Sequence, residues 1–209
     1  MIKKILLFTL LIISISCATK SKVVENKSDG KILLEDAGTF TGQKKPDWVG
    51  ADKSKIKELY PGKVPFTATL KGADINLLRR RVNTTTLNAR LAQEISTAIV
   101  QSAYDMSGGG SSEDVNSFAS SISAASKAQF SGFTQEGEWW VKIKWKKDGK
   151  EEYRYYVLYL IDQDRFNRIL SGTIRDASKV INEVGDNIAQ ALEDNIESVN
   201  KAYEATSLE

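Results

Sequence analysis

The chain has 209 residues, 29 Lys and Arg against 27 Asp and Glu, a single cysteine and no histidine. Without histidine there is no Ser-His-Asp or Cys-His catalysis, no zinc site of the usual His/Cys kind and no haem ligation through His; a lone thiol allows no disulfide within the monomer. A formal charge of +2 weakens a reading as a nucleic-acid binder, which would want a clustered basic surface, while 41% apolar residues, including seven Phe, seven Tyr and four Trp, suffice for one packed core.

Residues 1–16 read as a signal peptide. Lys3 and Lys4 make a short positive start, residues 5–13 are apolar except for Thr9, and Ser14-Ile15-Ser16 lead to Cys17. The apolar run is shorter than the about 20 residues that span a bilayer as a helix. Cleavage before Cys17 would leave its thiol at the new N-terminus for lipid attachment. Ser16 suits the position before the cut, whereas Ile15 and Ser14 depart from the common Leu-(Ala/Ser)-(Gly/Ala)-Cys box. The competing reading is a plain secretory signal with an incidental cysteine. One acyl chain binds a membrane reversibly and two or more hold firmly, so palmitate-type acylation of Cys17 would anchor the protein durably. Ala18 rather than Asp after the cysteine points to the outer membrane, by the sorting rule of enteric bacteria. Loss of residues 1–16 also removes Lys3 and Lys4, which leaves 27 basic residues against 27 acidic ones.

Residues 17–45 are mostly Lys, Ser, Gly, Thr, Asp and Glu, and read as the lipidated N-terminus followed by a flexible tether. The short Ile32-Leu33-Leu34 run leaves a second reading open, an N-terminal strand. At Lys45-Pro46-Asp47-Trp48-Val49 the character changes, which places the start of the folded domain at 46. Val64 to Leu70 alternates as a strand. From about Asp74 to Met106 the spacing turns helical, with Leu77, Leu87, Leu91, Ile95 and Ile99 on one row and Arg79, Arg80 and Arg81 on the wet side. Ser107-Gly108-Gly109-Gly110-Ser111-Ser112 ends that helix; lacking a following Gly-Lys-(Ser/Thr), it is no phosphate loop. Ser112 reads as the N-cap of a second helix carrying Val115, Phe118, Ala119, Ile122 and Ala125.

The clearest pattern follows. Trp139, Val141, Ile143 and Trp145 alternate with Trp140, Lys142, Lys144 and Lys146, and after an Asp148-Gly149 turn Tyr153, Tyr155, Val157, Tyr159 and Ile161 alternate with Arg154, Tyr156, Leu158 and Leu160. This is an aromatic hairpin whose first arm starts near Phe130, with Gly137 as a bend or bulge. Beyond it, Asp162 or Asp164 reads as an N-cap in preference to a metal pair. Ile174, Ala177, Ile181, Val184, Ile188, Leu192, Ile196 and Val199 step through a helix reaching about Tyr203. About forty residues at 1.5 Å each span about 60 Å, so such a helix must project, break near Gly172 or Gly185, or pack on another subunit.

Pro46-Asp47-Trp48, the helix with Ala89-Arg90-Leu91-Ala92, and the closing strand Tyr156-Val157-Leu158-Tyr159-Leu160-Ile161-Asp162 occur in an order that resembles the LPP20-like bacterial lipoprotein family, related to the N-terminal domain of the flagellar protein FlgT. The resemblance covers roughly residues 46–170 and departs at Phe66-Thr67-Ala68-Thr69, where the family often has an aromatic-Gly-x-Gly run. It implies a small α+β domain with helices on one face of an antiparallel sheet, and no catalytic activity.

The expectation is therefore an α+β chain divided at 1–16, 17–45, 46–170 and 171–209: a small antiparallel sheet dominated by the hairpin, helices packed on one face, and a long C-terminal helix. It is expected to be a non-enzymatic, cofactor-free and metal-free envelope lipoprotein, working through protein–protein contact or self-assembly, with a cell-wall or glycan-binding module as the alternative. Its site residues are Cys17 for lipidation, a contact patch of Trp140, Lys142, Lys144 and Tyr156, and the 174–199 seam for oligomerisation. The aromatics read first as core, and the lysine row equally as an edge strand guarded against aggregation; anionic lipid or glycan is the sharper reading of that row.

Overall fold

Period-two alternation from 134 to 162 folds as a hairpin. A computed structural model, which describes residues 30–82, 85–107, 113–126, 133–180 and 183–206, pairs β3 (Thr134–Trp145) antiparallel with β4 (Glu151–Asp162), setting Trp139 opposite Tyr156 and Trp140 opposite Tyr155. The turn closes through the Gly149 amide donating to the Trp145 carbonyl at 2.9 Å, with Gly149 at φ +70°, a conformation that favours glycine. The register slips between Gln135 and Gly137, which is the bulge expected there. At Gly137 a Cβ would lie 3.3 Å from the Trp48 indole, so the missing side chain is what lets that ring sit against the strand.

Two further strands complete the sheet in the order β1-β3-β4-β2. β2 (Lys63–Gly72) pairs antiparallel along the length of β4, from Lys63 opposite Asp162 to Gly72 opposite Tyr153. β1 (Lys31–Asp36) pairs antiparallel with β3, Lys31 lying opposite Trp145. The folded domain therefore begins near Gly30, not at Pro46. Within the region read as tether, the Ile32-Leu33-Leu34 run is a strand because β3 supplies it with a ladder. Asp36 then starts α1 (Ala37–Thr41) with a capping box, its carboxylate accepting the Thr39 amide at 2.9 Å while Thr39 Oγ1 accepts the Asp36 amide at 3.0 Å.

Paired residues share a face. On one side lie Val64, Phe66 and Ala68 with Tyr155, Val157 and Ile161, beneath α3 (Ile75–Val82), α4 (Thr85–Met106), α5 (Glu113–Ser126), α6 (Gln163–Ser178), α7 (Glu183–Asp194) and α8 (Ile196–Ala205). Leu91, Ile95, Ile99, Phe118, Ile122 and Leu170 fill the space between. The fold is α+β, as expected, with these helices gathered on one face. The opposite face is covered too. There Trp139, Leu158 and Leu160 pack against Trp48, Val49 and Ile56, from the 46–50 turn and α2 (Lys53–Leu59). Leu158 and Leu160 alternate out of phase with the main core, so a one-faced sheet would have left them wet.

Helical spacing between 74 and 106 resolves into α3 and α4, and the row shifts by one residue at its start. Leu78 is buried whereas Leu77 is 47% exposed. Ser112, the expected N-cap of α5, and Phe130, the expected start of the hairpin, lie outside the described residues.

The C-terminal segment departs most from expectation. Instead of one long helix it forms α6, α7 and α8, turning after Ser178 and again at Asn195, while Gly172 stays inside α6. α6 runs across the expected boundary at 170/171, so the last helices belong to the same core. Ile174 and Ala177 of α6, Leu192 of α7 and Val199 of α8 are buried in that core, and Ile188 and Ile196 pack partly buried against it. By folding back on itself the chain covers much of this seam with its own residues, so the buried positions Ile174, Ala177, Leu192 and Val199 offer no surface to a second subunit. Ile181 lies outside the described residues, as does the side chain of Val184.

Candidate interaction surface

Cys17, the expected lipidation site, lies outside the described residues. The expected contact patch is split between the two sides of the sheet. Trp140, Lys142 and Lys144 share the helix-bearing side with Tyr155 and Tyr153, whereas Tyr156 lies opposite Trp139 on the other. The split follows from register, because adjacent residues of a strand point to opposite faces. Sequence alternation defined each strand's two faces but not which face of β4 joins which face of β3.

What does assemble is an aromatic row on the helix-bearing side, beyond the helices. Trp140 lies 5.8 Å from Tyr153 and 6.3 Å from Phe40 between ring centroids. Phe40 is 73% exposed, the most open aromatic among the described residues, while Trp140 and Tyr153 are half-buried. Lys142 is held at this row rather than reaching into solvent. Its Nζ lies 2.9 Å from Glu151, 4.0 Å from Glu35 and 5.6 Å from the Tyr153 ring centre. The Glu151 contact raises the Lys142 pKa and lowers that of Glu151. Phe40 escaped sequence reading because it falls in the stretch read as tether, where a lone aromatic gives no periodic signal.

On the other side, Tyr156 stands between two concavities. A small one of about 160 Å³ is lined by Trp48, Gly50, Ala51, Thr67, Thr69 and Tyr156. A shallower groove of about 840 Å³ brings Lys31, Lys71, Arg90 and Arg154 around Tyr156, Thr69 and Gln93. No carboxylate lines this groove among the described residues. Lys31 and Arg154 both approach the Trp145 ring, at 4.9 Å and 5.7 Å from its centre.

The interior holds a charged cluster that no motif announced. Lys53 Nζ lies 2.7 Å from Glu94, donates to the Tyr203 carbonyl and to Thr206 Oγ1 at 2.9 Å each, and sits 3.8 Å above the Tyr203 ring. The side chains of Lys53 and Glu94 are only 7% and 3% exposed. Burial pushes the Glu94 carboxyl above its ordinary range, opposed by Lys53; burial likewise lowers the Lys53 ammonium, opposed by Glu94. Tyr203 is fully buried and donates its hydroxyl to the Pro65 carbonyl at 3.0 Å. The cluster pins α2, α4, α8 and the edge strand β2 together, which is the geometry of a structural clamp. A second tie joins helix to hairpin: the buried Tyr155 donates to Glu138, which also receives Arg79 of α3 at 3.3 Å. Burial first, and Glu138 second, push the Tyr155 phenol well up.

Asp162 ends β4 and precedes α6 but makes no side-chain cap; its carboxylate accepts Lys63 at 2.7 Å instead, which lowers its pKa. Among the described residues no helix is long and apolar enough to cross a membrane. The chain matches no family model, no curated protein and no solved structure.

Proposed function

We propose that this chain is a lipid-anchored envelope protein, held at the membrane through Cys17, that works without catalysis by presenting its folded domain to other envelope proteins. The anchor reading is supported by residues 1–17: a positive start, an apolar run too short to span and the only cysteine of the chain. The contact reading is carried by the aromatic row of Phe40, Trp140 and Tyr153, because an exposed Phe backed by a Trp and a Tyr has the composition of an interface core. Lys142 and Glu35 give it a polar rim. The LPP20-like resemblance points the same way, towards a non-catalytic lipoprotein, with the outer membrane as the proposed site. Self-association is proposed through this row, since the seam residues Ile174, Ala177, Leu192 and Val199 are buried in the core.

A photocrosslinker placed at position 40, compared with one at the exposed Leu77, tests the contact reading in intact cells. Position 40 should yield a defined adduct, with another copy or a second envelope protein, that Trp140→Ala abolishes. Equal labelling from both positions would remove it. The alternative, a glycan-binding module, uses the same row as a stacking platform; it requires that the protein sediment with purified peptidoglycan and that Trp140→Ala release it.

A further inference from the structure

From the position of the tether, we infer that the β3–β4 turn end of the sheet is a docking surface for an anionic lipid bilayer. The inference rests on the anchored reading of Cys17 and deepens it. Twelve residues, 18–29, separate Cys17 from Gly30; thirteen chain steps reach at most about 45 Å when fully extended. Gly30 is not at an arbitrary place. Its carbonyl accepts the Lys146 amide at 2.8 Å, which fixes the entry of the tether beside the hairpin turn. Lys31 follows directly and lies opposite Trp145. Acylation of Cys17 would therefore keep this end of the domain within about 45 Å of the headgroups.

The chemistry of that end matches the surface it would meet. Lys144, Lys146, Lys147 and Lys150 crowd the turn, and Lys31 and Arg154 flank Trp145. Among the described residues, Asp148, Glu151 and Glu152 lie at this end, Glu151 paired with Lys142 and Glu152 with Arg154, and Asp29 precedes Gly30 in the sequence. Lys146, Lys147 and Lys150 are exposed, and Trp145 is half-exposed. The basic groove of about 840 Å³ opens from the same Lys31 and Arg154 and adds Lys71 and Arg90. A Trp set among cations suits a bilayer interface, where an indole sits at headgroup level and ammonium groups meet phosphate. The rest of the chain does not share this excess, since the protein without residues 1–16 carries equal numbers of acidic and basic side chains. Screening limits the attraction to about 8 Å at physiological ionic strength, so only groups in contact with the headgroups contribute.

Vesicle flotation of the chain without residues 1–16 and carrying Cys17→Ala separates docking from anchoring. At low salt this unacylated chain should float with vesicles of phosphatidylcholine mixed with phosphatidylglycerol, and not with phosphatidylcholine alone. High salt should release it. Each lysine near an anionic surface contributes about fivefold, so adding Lys146→Glu, Lys147→Glu and Lys150→Glu should lower partitioning on the order of a hundredfold. All three are exposed turn positions, so the fold should survive, and circular dichroism checks that it does. Equal flotation with neutral vesicles, persistence in high salt, or unchanged partitioning of the triple variant would each overturn the docking surface. None of these outcomes touches acylation, whose failure would show instead as an unmodified Cys17 in cells.

Discussion

At the residue scale, the buried Lys53–Glu94 pair decides more than any exposed charge. Removing one partner leaves the other uncompensated in the interior, which costs about 3–5 kcal/mol, whereas replacing both with apolar residues is often neutral. Glu94→Leu should therefore destabilise strongly in urea unfolding, and Lys53→Met with Glu94→Leu should recover much of the loss. The pH dependence of Lys53→Met has a definite sign. Burial already raises Glu94 above its unfolded value, and loss of the lysine removes the opposing cation. The contribution is fully present below the unfolded value of about 4.3 and is lost as pH rises through the folded one. The variant's deficit should therefore grow from acid towards neutral pH. Asp52, Glu151 and Asp162 behave oppositely: Lys55 and Ser54, Lys142 and Lys63 respectively hold their carboxyls low. Their stabilisation is present above about pH 4 and fades as pH falls through the folded values. Asp162→Asn should flatten the acid limb of the stability curve. Neither Lys53 nor Glu94 was legible in the sequence, because a Lys and a Glu forty-one positions apart look like two solvated charges until the fold brings them together.

At the scale of elements, legibility followed periodicity. The hairpin, its Asp148-Gly149 turn and the Gly137 bulge could be read because alternation and glycine are local signals. β1 was half legible. Its apolar run is short, and it is a strand only because β3 offers an edge, which is a tertiary fact. The last helix was misjudged in length for the opposite reason. A helical seam records which residues face inward, and it stays in phase through a turn that reverses the chain, so period alone cannot distinguish one rod from three packed helices. Tyr203 shows what the turns achieve: its ring lies 4.9 Å from Phe166, and its hydroxyl reaches β2. Tyr203→Phe leaves the Pro65 carbonyl without that donor and should cost about 1–3 kcal/mol, read as a lower urea midpoint at unchanged slope. Trp139→Ala, on the other face, should cost about 3–5 kcal/mol.

On the scale of the whole molecule, the C-terminal helices are part of the core and not an appended oligomerisation rod. A chain truncated after Asn195 loses the buried Val199 and Tyr203 together with two acceptors of Lys53, the Tyr203 carbonyl and Thr206 Oγ1. It should lose cooperative unfolding and bind a hydrophobic dye, instead of yielding a folded monomer. Such a domain, closed on both sheet faces, has few places left for a partner. The aromatic row beside Phe40 and the basic turn end near Gly30 are the two proposed, the first for protein and the second for lipid. Both depend on the proposed anchor at Cys17. Metabolic labelling with radioactive palmitate, followed by salt-washed membrane fractionation, tests that anchor directly. The unaltered protein should carry label and stay in the washed membrane, and Cys17→Ala should lose both. A Cys17→Ala chain that still takes up label and stays with the washed membrane would contradict it.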